Sequence, residues 1–151
     1  MGFPCPRGYK CHQNGATNQF SRCPRGTFQA LPAQSDCDNC PRGYFCPDEG
    51  EHTPRECPVG KYCPEKTYLP RDCPPGTFNE KEGAFDLAHC QVCPPGYGCP
   101  GGDKRPGDRD RCRAGFFCKE HSPSKTPALD EYGNGPCPRG KIFCLTLTYV
   151  N

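Results

Sequence analysis

The sequence predicts a small disulfide-rich fold: an elongated array of tandem cysteine-rich repeats built mostly of loops and short antiparallel β ribbons, with little helix. Sixteen of the 151 residues are cysteine, about one in ten, which is typical of disulfide scaffolds. Leu, Ile, Val and Phe together number nineteen and there is no Trp, too little apolar surface for an ordinary core. Pro and Gly account for thirty-eight residues and oppose long helices. Order must therefore come mainly from crosslinks.

A short turn motif, Cys-x-x-Gly, recurs through the chain. Eight copies begin at Cys5, Cys23, Cys40, Cys57, Cys73, Cys93, Cys112 and Cys137, and proline follows the cysteine in each of these but the copy at Cys112. Proline fixes its own φ, and glycine accepts positive φ, so Cys-Pro-x-Gly predicts a tight turn. A Tyr or Phe within six residues of each cysteine is expected to cover the sulfurs, as in Tyr44, Tyr62, Phe78, Tyr97 and Phe116.

Cysteine spacing groups these motifs into larger units. Cys5, Cys11, Cys23, Cys37, Cys40 and Cys46 form a six-cysteine pattern that returns at Cys57, Cys63, Cys73, Cys90, Cys93 and Cys99. The remaining Cys112, Cys118, Cys137 and Cys144 form an incomplete third unit. We therefore predict repeat 1 at residues 1–50, repeat 2 at 51–103, and an incomplete repeat 3 at 104–151, stacked end to end as a rod.

The C-terminal segment, residues 142–150, gives the one strong strand signal of the sequence. Alternation puts Leu145, Leu147 and Tyr149 on one face of that strand. Two interpretations stay open: an assembly strand that pairs with another chain or domain, and a hairpin folded back near Cys137.

An even number of regularly spaced cysteines indicates an oxidising compartment, and hence an extracellular or cell-surface location. The N-terminus carries no signal-peptide pattern, so we expect either a removed signal or a piece of a longer polypeptide. The formal net charge is +2 with acids and bases interspersed, which argues against nucleic acid as a partner. No run of apolar residues is long enough to predict a membrane span.

Other chemistry receives weaker support. The Cys37/Cys40 and Cys90/Cys93 pairs have the Cys-x-x-Cys form of zinc ligands, but they lie 53 residues apart, too far for a four-ligand site. No catalytic set can be assembled from the scattered histidines, so we expect no enzyme activity, cofactor or metal site. Arginine recurs at one turn position, which predicts either a ligand-binding stripe or, more simply, solvated turn residues: Arg7, Arg25, Arg42 and Arg139.

The run Cys-Pro-x-Gly-Thr-Phe…Cys-x-x-Cys-Pro-x-Gly-Tyr-x-Cys resembles the ephrin-receptor-like cysteine-rich repeat, and it is similar to the repeats of tumour necrosis factor receptors. The resemblance covers Cys5 to Cys118 well and Cys137 to Cys144 poorly. Similarity to the receptor pattern implies that Cys23–Cys37 and Cys73–Cys90 close the long loops. Beside these we expect crosswise pairs Cys40–Cys57, Cys46–Cys63, Cys93–Cys112 and Cys99–Cys118, with Cys5, Cys11, Cys137 and Cys144 left to pair with each other or with neighbouring chain.

Such repeats occur in receptors, adhesins, surface proteins and extracellular filaments, so the motif implies fold more than function. We expect a non-enzymatic structural or adhesive module, a subunit or fragment of a larger surface assembly or filament, whose partners are other protein chains and possibly copies of itself. One alternative is a ligand-binding receptor ectodomain with contact loops at residues 48–56 or 79–89; a second is a zinc-binding protein.

Overall fold

The structure is a computed structural model that describes residues 5–12, 19–102 and 105–139. Within these ranges there is no α-helix, and the regular elements are very short. The 3-10 helices are Leu87–His89 and Asp108–Asp110, and the strands are β1 (Tyr9–Cys11), β2 (Phe20–Arg22), β3 (Thr27–Phe28), β4 (Asp38–Asn39), β5 (Tyr44–Phe45), β6 (Arg55–Glu56), β7 (Lys61–Tyr62), β8 (Arg71–Asp72), β9 (Thr77–Phe78), β10 (Gln91–Val92), β11 (Phe116–Phe117) and β12 (Gly135–Pro136). The predicted class, a small disulfide-rich fold of loops and short ribbons, is confirmed.

The strands pair two by two in chain order as antiparallel ribbons, each belonging to one turn motif. The first strand of a ribbon starts directly after the turn glycine, and the second ends directly before the cysteine of the next motif. In the motif of Cys23, for example, Thr27 lies opposite Asn39 and Phe28 opposite Asp38. The turn thus reverses the chain, and the ribbon carries it to the next motif.

The described residues fall into two compact units. The first comprises Met1–Pro58, Tyr62–Arg71 and Glu82–Asp86, and the second comprises Val59–Lys61, Asp72–Lys81 and Leu87–Asn151. The boundaries predicted near residues 50 and 103 remain a prediction.

Cysteine sulfurs form most of the buried apolar surface. Among the described residues, the only buried hydrophobic side chains other than cysteine are Phe78 and Ala84. Phe78 packs with Cys93 and Cys99 under a partly buried Tyr97, which agrees with the expected aromatic cover. Tyr44, which we expected to be more buried than a typical surface tyrosine, is 39% exposed, although Cys40 and Cys46 beside it are fully buried.

Candidate functional site

The cysteine-closed turn motifs are the feature that the chain repeats, and five of them are closed by their own disulfide. These five pairs, each with a sequence separation of 6 and Cα atoms 5.8–6.0 Å apart, are Cys5–Cys11, Cys40–Cys46, Cys57–Cys63, Cys93–Cys99 and Cys112–Cys118. The predicted crosswise pairs Cys40–Cys57, Cys46–Cys63, Cys93–Cys112 and Cys99–Cys118 are therefore wrong. The tight turn already brings both ends of the loop to an ordinary disulfide distance, so no cysteine from another motif is needed.

The two remaining described motifs use a longer loop. Cys23 pairs with Cys37 and Cys73 with Cys90, at sequence separations of 14 and 17, which confirms the predicted long-loop disulfides. Cys137 is disulfide-bonded as well. Its predicted candidate partner Cys144 lies outside the described residues, as do the assembly-strand residues Leu145, Leu147 and Tyr149.

The zinc hypothesis is contradicted by this pairing. Cys37 and Cys40 belong to separate disulfides, with Cys23 and Cys46 as their partners. Cys90 and Cys93 are divided in the same way between the Cys73–Cys90 and Cys93–Cys99 pairs. A thiolate that binds zinc cannot also be part of a disulfide, so neither Cys-x-x-Cys sequence can serve as a ligand pair in this form of the protein.

Backbone hydrogen bonds connect each motif to the next, in a pattern we call the backbone ladder. The N–H of the turn glycine donates to the carbonyl of the residue that lies six positions after the first cysteine of the next motif. The carbonyl of the same glycine accepts the N–H of the next motif's first cysteine. In the first unit the glycine donors and their acceptors are Gly8 to Gln29, Gly26 to Cys46 and Gly43 to Cys63, each at 2.9 Å. In the second unit they are Gly60 to Asn79, Gly76 to Cys99 and Gly96 to Cys118, at 2.7–2.8 Å.

A third bond of the ladder comes from a residue with positive φ. This residue lies nine or ten positions after the first cysteine of one motif. It donates its N–H to the carbonyl of the first cysteine of the preceding motif, at 2.8–3.1 Å. The donor and acceptor pairs are Ala33 to Cys5, Gly50 to Cys23, Lys66 to Cys40 and Gly83 to Cys57 in the first unit, and Gly102 to Cys73 and His121 to Cys93 in the second. Ala33, Lys66 and His121 are the three described non-glycine residues with positive φ. This conformation is uncommon for a side chain other than glycine, so ladder contacts hold it in place.

Two buried amide side chains stand where the other described motifs have a second cysteine. Gln29 and Asn79 occupy the position six residues after Cys23 and Cys73, and they are 5% and 2% exposed. Gln29 Nε2 donates to the carbonyl of Asp36 at 2.8 Å, while its Oε1 accepts the N–H of Leu31. Hydrogen bonds at these two motifs therefore replace the short-loop disulfide.

Asn79 makes the larger set of contacts. Its Nδ2 donates to the carbonyls of Lys61 and Lys81 at 3.0 and 2.8 Å, and its Oδ1 accepts the N–H of Lys81 at 3.0 Å. Sequence reasoning missed both amides. The signal that would have found them is the alignment of the seven Cys-x-x-Gly copies from Cys5 to Cys112, in which the residue six positions after the first cysteine is Cys, Gln or Asn.

We expect Asn79→Ala to lower the free energy of unfolding by about 1–3 kcal/mol, because the buried Asn79 amide no longer bonds the backbone groups of Lys61 and Lys81. Asn39→Ala is the matched control, since Asn39 is exposed on β4 and its loss should change stability by at most about 0.5 kcal/mol. Guanidinium titration of the oxidised variants measures both values. Equal effects at the two positions would contradict the role of the buried amide.

The recurrent turn arginines lie in solvent. Arg7, Arg25, Arg42 and Arg139 are all exposed, as expected for solvated turn residues. The loops predicted as receptor contacts carry their own ion pairs: Arg55 Nη2 lies 2.8 Å from Asp48 Oδ2 and 3.4 Å from Glu51 Oε2. The side chains of Arg55 and Asp48 are exposed, so this pair adds little stability.

The segment from Lys119 to Pro136, the least repeat-like interval, is organised by one carboxylate. Asp130 Oδ1 accepts the N–H groups of Tyr132 and Asn134, and Asp130 Oδ2 accepts Asn134 Nδ2. These bonds, led by the Asn134 side chain, hold the pKa of Asp130 below its ordinary value. Asn134 is fully buried and its Oδ1 accepts the N–H of Lys119, so the loop folds around its own polar groups.

Large apolar side chains are exposed on several loops. The most exposed are Leu31, Tyr68, Leu69 and Leu129, at 55–78%. They are distributed over loops that follow three different motifs. Such side chains are suited to contacts with another protein surface.

Comparison with known proteins adds no relationship: no protein-family model matches the sequence, and no curated protein matches it either. Among the described residues, no helix is long and apolar enough to cross a membrane.

Proposed function

We propose that the chain is a non-enzymatic structural or adhesive repeat module of a larger extracellular assembly, in which it contacts other protein chains, copies of itself included. The observation that carries the proposal is the backbone ladder. The glycine and cysteine peptide groups that repeat from motif to motif join successive motifs, and the cysteine sulfurs close the short loops within single motifs. A repeat of this kind is suited to holding a fixed surface rather than to chemistry.

The extracellular location is part of the same proposal. Seven disulfides link fourteen of the described cysteines, and such pairs persist in oxidising compartments. The resemblance to ephrin-receptor-like and tumour necrosis factor receptor-like repeats supports it as well. The short-loop disulfides weaken the resemblance to tumour necrosis factor receptor repeats, because they replace the crosswise pairs that we expected together with that resemblance.

A ligand-binding receptor ectodomain is the second candidate. The exposed, adjacent side chains Tyr68 and Leu69 favour it, because neighbouring apolar side chains on a loop are what a protein ligand would cover. The two candidates differ in their state in solution. A structural subunit assembles with copies of itself, while an isolated receptor ectodomain stays a monomer or a dimer.

We expect the purified, oxidised chain to form large assemblies whose size rises with protein concentration, and deletion of residues 145–151 to abolish them. The apolar face of the predicted strand supplies the reason, since unpaired strand edges bind other edges. Light scattering and electron microscopy of both proteins measure the effect, and mass mapping of the disulfides checks that the deletion leaves the pairing intact.

A pair of matched variants locates the contact on one face. Leu145→Ser with Leu147→Ser changes the apolar face predicted by the alternation, whereas Thr146→Ala with Thr148→Ala changes the opposite one. The first should prevent assembly and the second should not. A chain that stays monomeric without any deletion would favour the receptor alternative, and normal assembly of the deletion variant would refute the strand-docking idea.

A further inference from the structure

The two long-loop disulfides differ from the buried short-loop disulfides in their access to solvent. Cys37 and Cys90, the second cysteines of the long loops, are only partly buried. In contrast, both cysteines are buried in four of the short loops, Cys40–Cys46, Cys57–Cys63, Cys93–Cys99 and Cys112–Cys118. In the fifth short loop, Cys5–Cys11, Cys11 is partly buried, so access does not distinguish this pair from the long-loop pairs. Thiol–disulfide exchange and reduction require a reagent to reach a sulfur, so the long-loop pairs are open to attack where the four buried pairs are shielded.

The long loops also have non-covalent contacts that hold them closed. In the first unit, the ends of the loop are joined by β3 and β4, and the Gln29 side chain reaches Asp36, next to Cys37. The N–H of Cys40 donates to Gly26, which fixes the chain beyond β4. None of these bonds involves the sulfurs, so they persist when the Cys23–Cys37 bond is broken.

The corresponding loop of the second unit is braced in the same manner. Its base is the β9–β10 ribbon, in which Gln91 lies opposite Phe78 and Val92 opposite Thr77. Asn79 fixes the start of the loop through its bonds to Lys61 and Lys81. The ladder bond from Cys93 N–H to the Gly76 carbonyl, at 2.9 Å, follows directly after β10.

From access and bracing together, we propose that Cys23–Cys37 and Cys73–Cys90 are redox-labile disulfides: mild reduction opens them in the folded protein while the β3–β4 and β9–β10 ribbons and the four buried short-loop motifs stay in place. A phosphine supplies the two electrons for each S–S bond and becomes a phosphine oxide with oxygen from water, and each sulfur takes up a proton to form a thiol. The loops that these disulfides close carry the exposed apolar side chains Leu31, Phe85 and Leu87, and ladder bonds from Ala33 and Gly83 hold the loops in place.

The test is limited reduction of the native full chain with tris(2-carboxyethyl)phosphine, followed by alkylation with N-ethylmaleimide and peptide mass spectrometry. We expect Cys23, Cys37, Cys73 and Cys90 to be labelled at least about tenfold faster than the cysteines of the four buried short loops. Hydrogen exchange of the labelled protein should still show protection at β3, β4, β9 and β10. Labelling of the buried pairs at the same rate, or loss of that protection, would overturn the proposal.

Variants of Gln29 test the bracing separately. After selective reduction, Gln29→Ala should lose protection over residues 27–39, because the bond to the Asp36 carbonyl is gone, while the wild-type protein keeps it. Gln34→Ala is the control, since Gln34 Nε2 makes an exposed bond to the Pro32 carbonyl within the loop. Equal protection in the two variants would show that Gln29 does not brace the loop. If Gln29→Ala fails to fold, the order in which the cysteines of the wild-type protein are labelled still tests the proposed lability of the disulfides.

Discussion

Complete reduction of all the disulfides is expected to unfold the protein, whereas heating the oxidised protein should alter its structure very little. The cause is the composition of the core: Phe78 and Ala84 are the only described non-cysteine hydrophobic residues that are buried. In the chain-entropy model, each short loop contributes about 2 kcal/mol and each long loop about 3 kcal/mol. Summed over seven disulfides, this exceeds the roughly 5–15 kcal/mol by which a typical domain is stable.

Circular dichroism and limited proteolysis measure the outcome on three samples. The first is the oxidised protein, and the second is the oxidised protein after heating. The third is reduced and alkylated in denaturant, and the denaturant is then removed. The third sample should be disordered and rapidly cleaved, while the first two should give the same spectrum and resist protease. A fully reduced chain that keeps its spectrum and its resistance would show that contacts other than the disulfides determine the fold.

The local turn geometry could be predicted from the sequence because it is set within a few residues. Every described turn glycine of a motif has the positive φ that Cys-Pro-x-Gly predicts, with values from 79° to 90°, as at Gly26 and Gly43. The long-loop disulfides were predicted from the resemblance to the repeats of tumour necrosis factor receptors. In these two motifs the sixth residue is Gln29 or Asn79, so no second cysteine is close in sequence.

The short-loop pairing was predicted wrongly because cysteine spacing alone is compatible with both arrangements. Cys40, Cys46, Cys57 and Cys63 can pair within their motifs or across them, and only the path of the chain distinguishes the two. The positive φ of Ala33, Lys66 and His121 could not be foreseen either. Their conformation is imposed by a bond to the carbonyl of a cysteine from the preceding motif, and no local preference of Ala, Lys or His favours it.

Glycine substitutions in the second unit should separate the strain of the turn from its contact with other motifs. Gly76 and Gly96 occupy the same turn position with φ of +84° and +87°. A Cβ at Gly96 would have no atom within 4 Å, whereas a Cβ at Gly76 would overlap the carbonyl oxygen of His121. We therefore expect Gly96→Ala to cost about 1–2 kcal/mol from backbone strain alone. Gly76→Ala should cost roughly 2–5 kcal/mol, because the overlap adds to that strain.

Two further glycines complete the series, and guanidinium unfolding of the oxidised variants measures all four free energies. Gly98→Ala tests steric overlap without positive φ, because the added Cβ would meet the backbone of Ser124. Gly107→Ala is the control, because Gly107 has no positive φ and the space around it is open. Gly98→Ala should therefore be strongly destabilising, and Gly107→Ala should change stability by at most about 0.5 kcal/mol. If Gly76→Ala is no worse than Gly96→Ala, close packing between motifs is not what requires glycine at this position. The turn alone would then account for its recurrence.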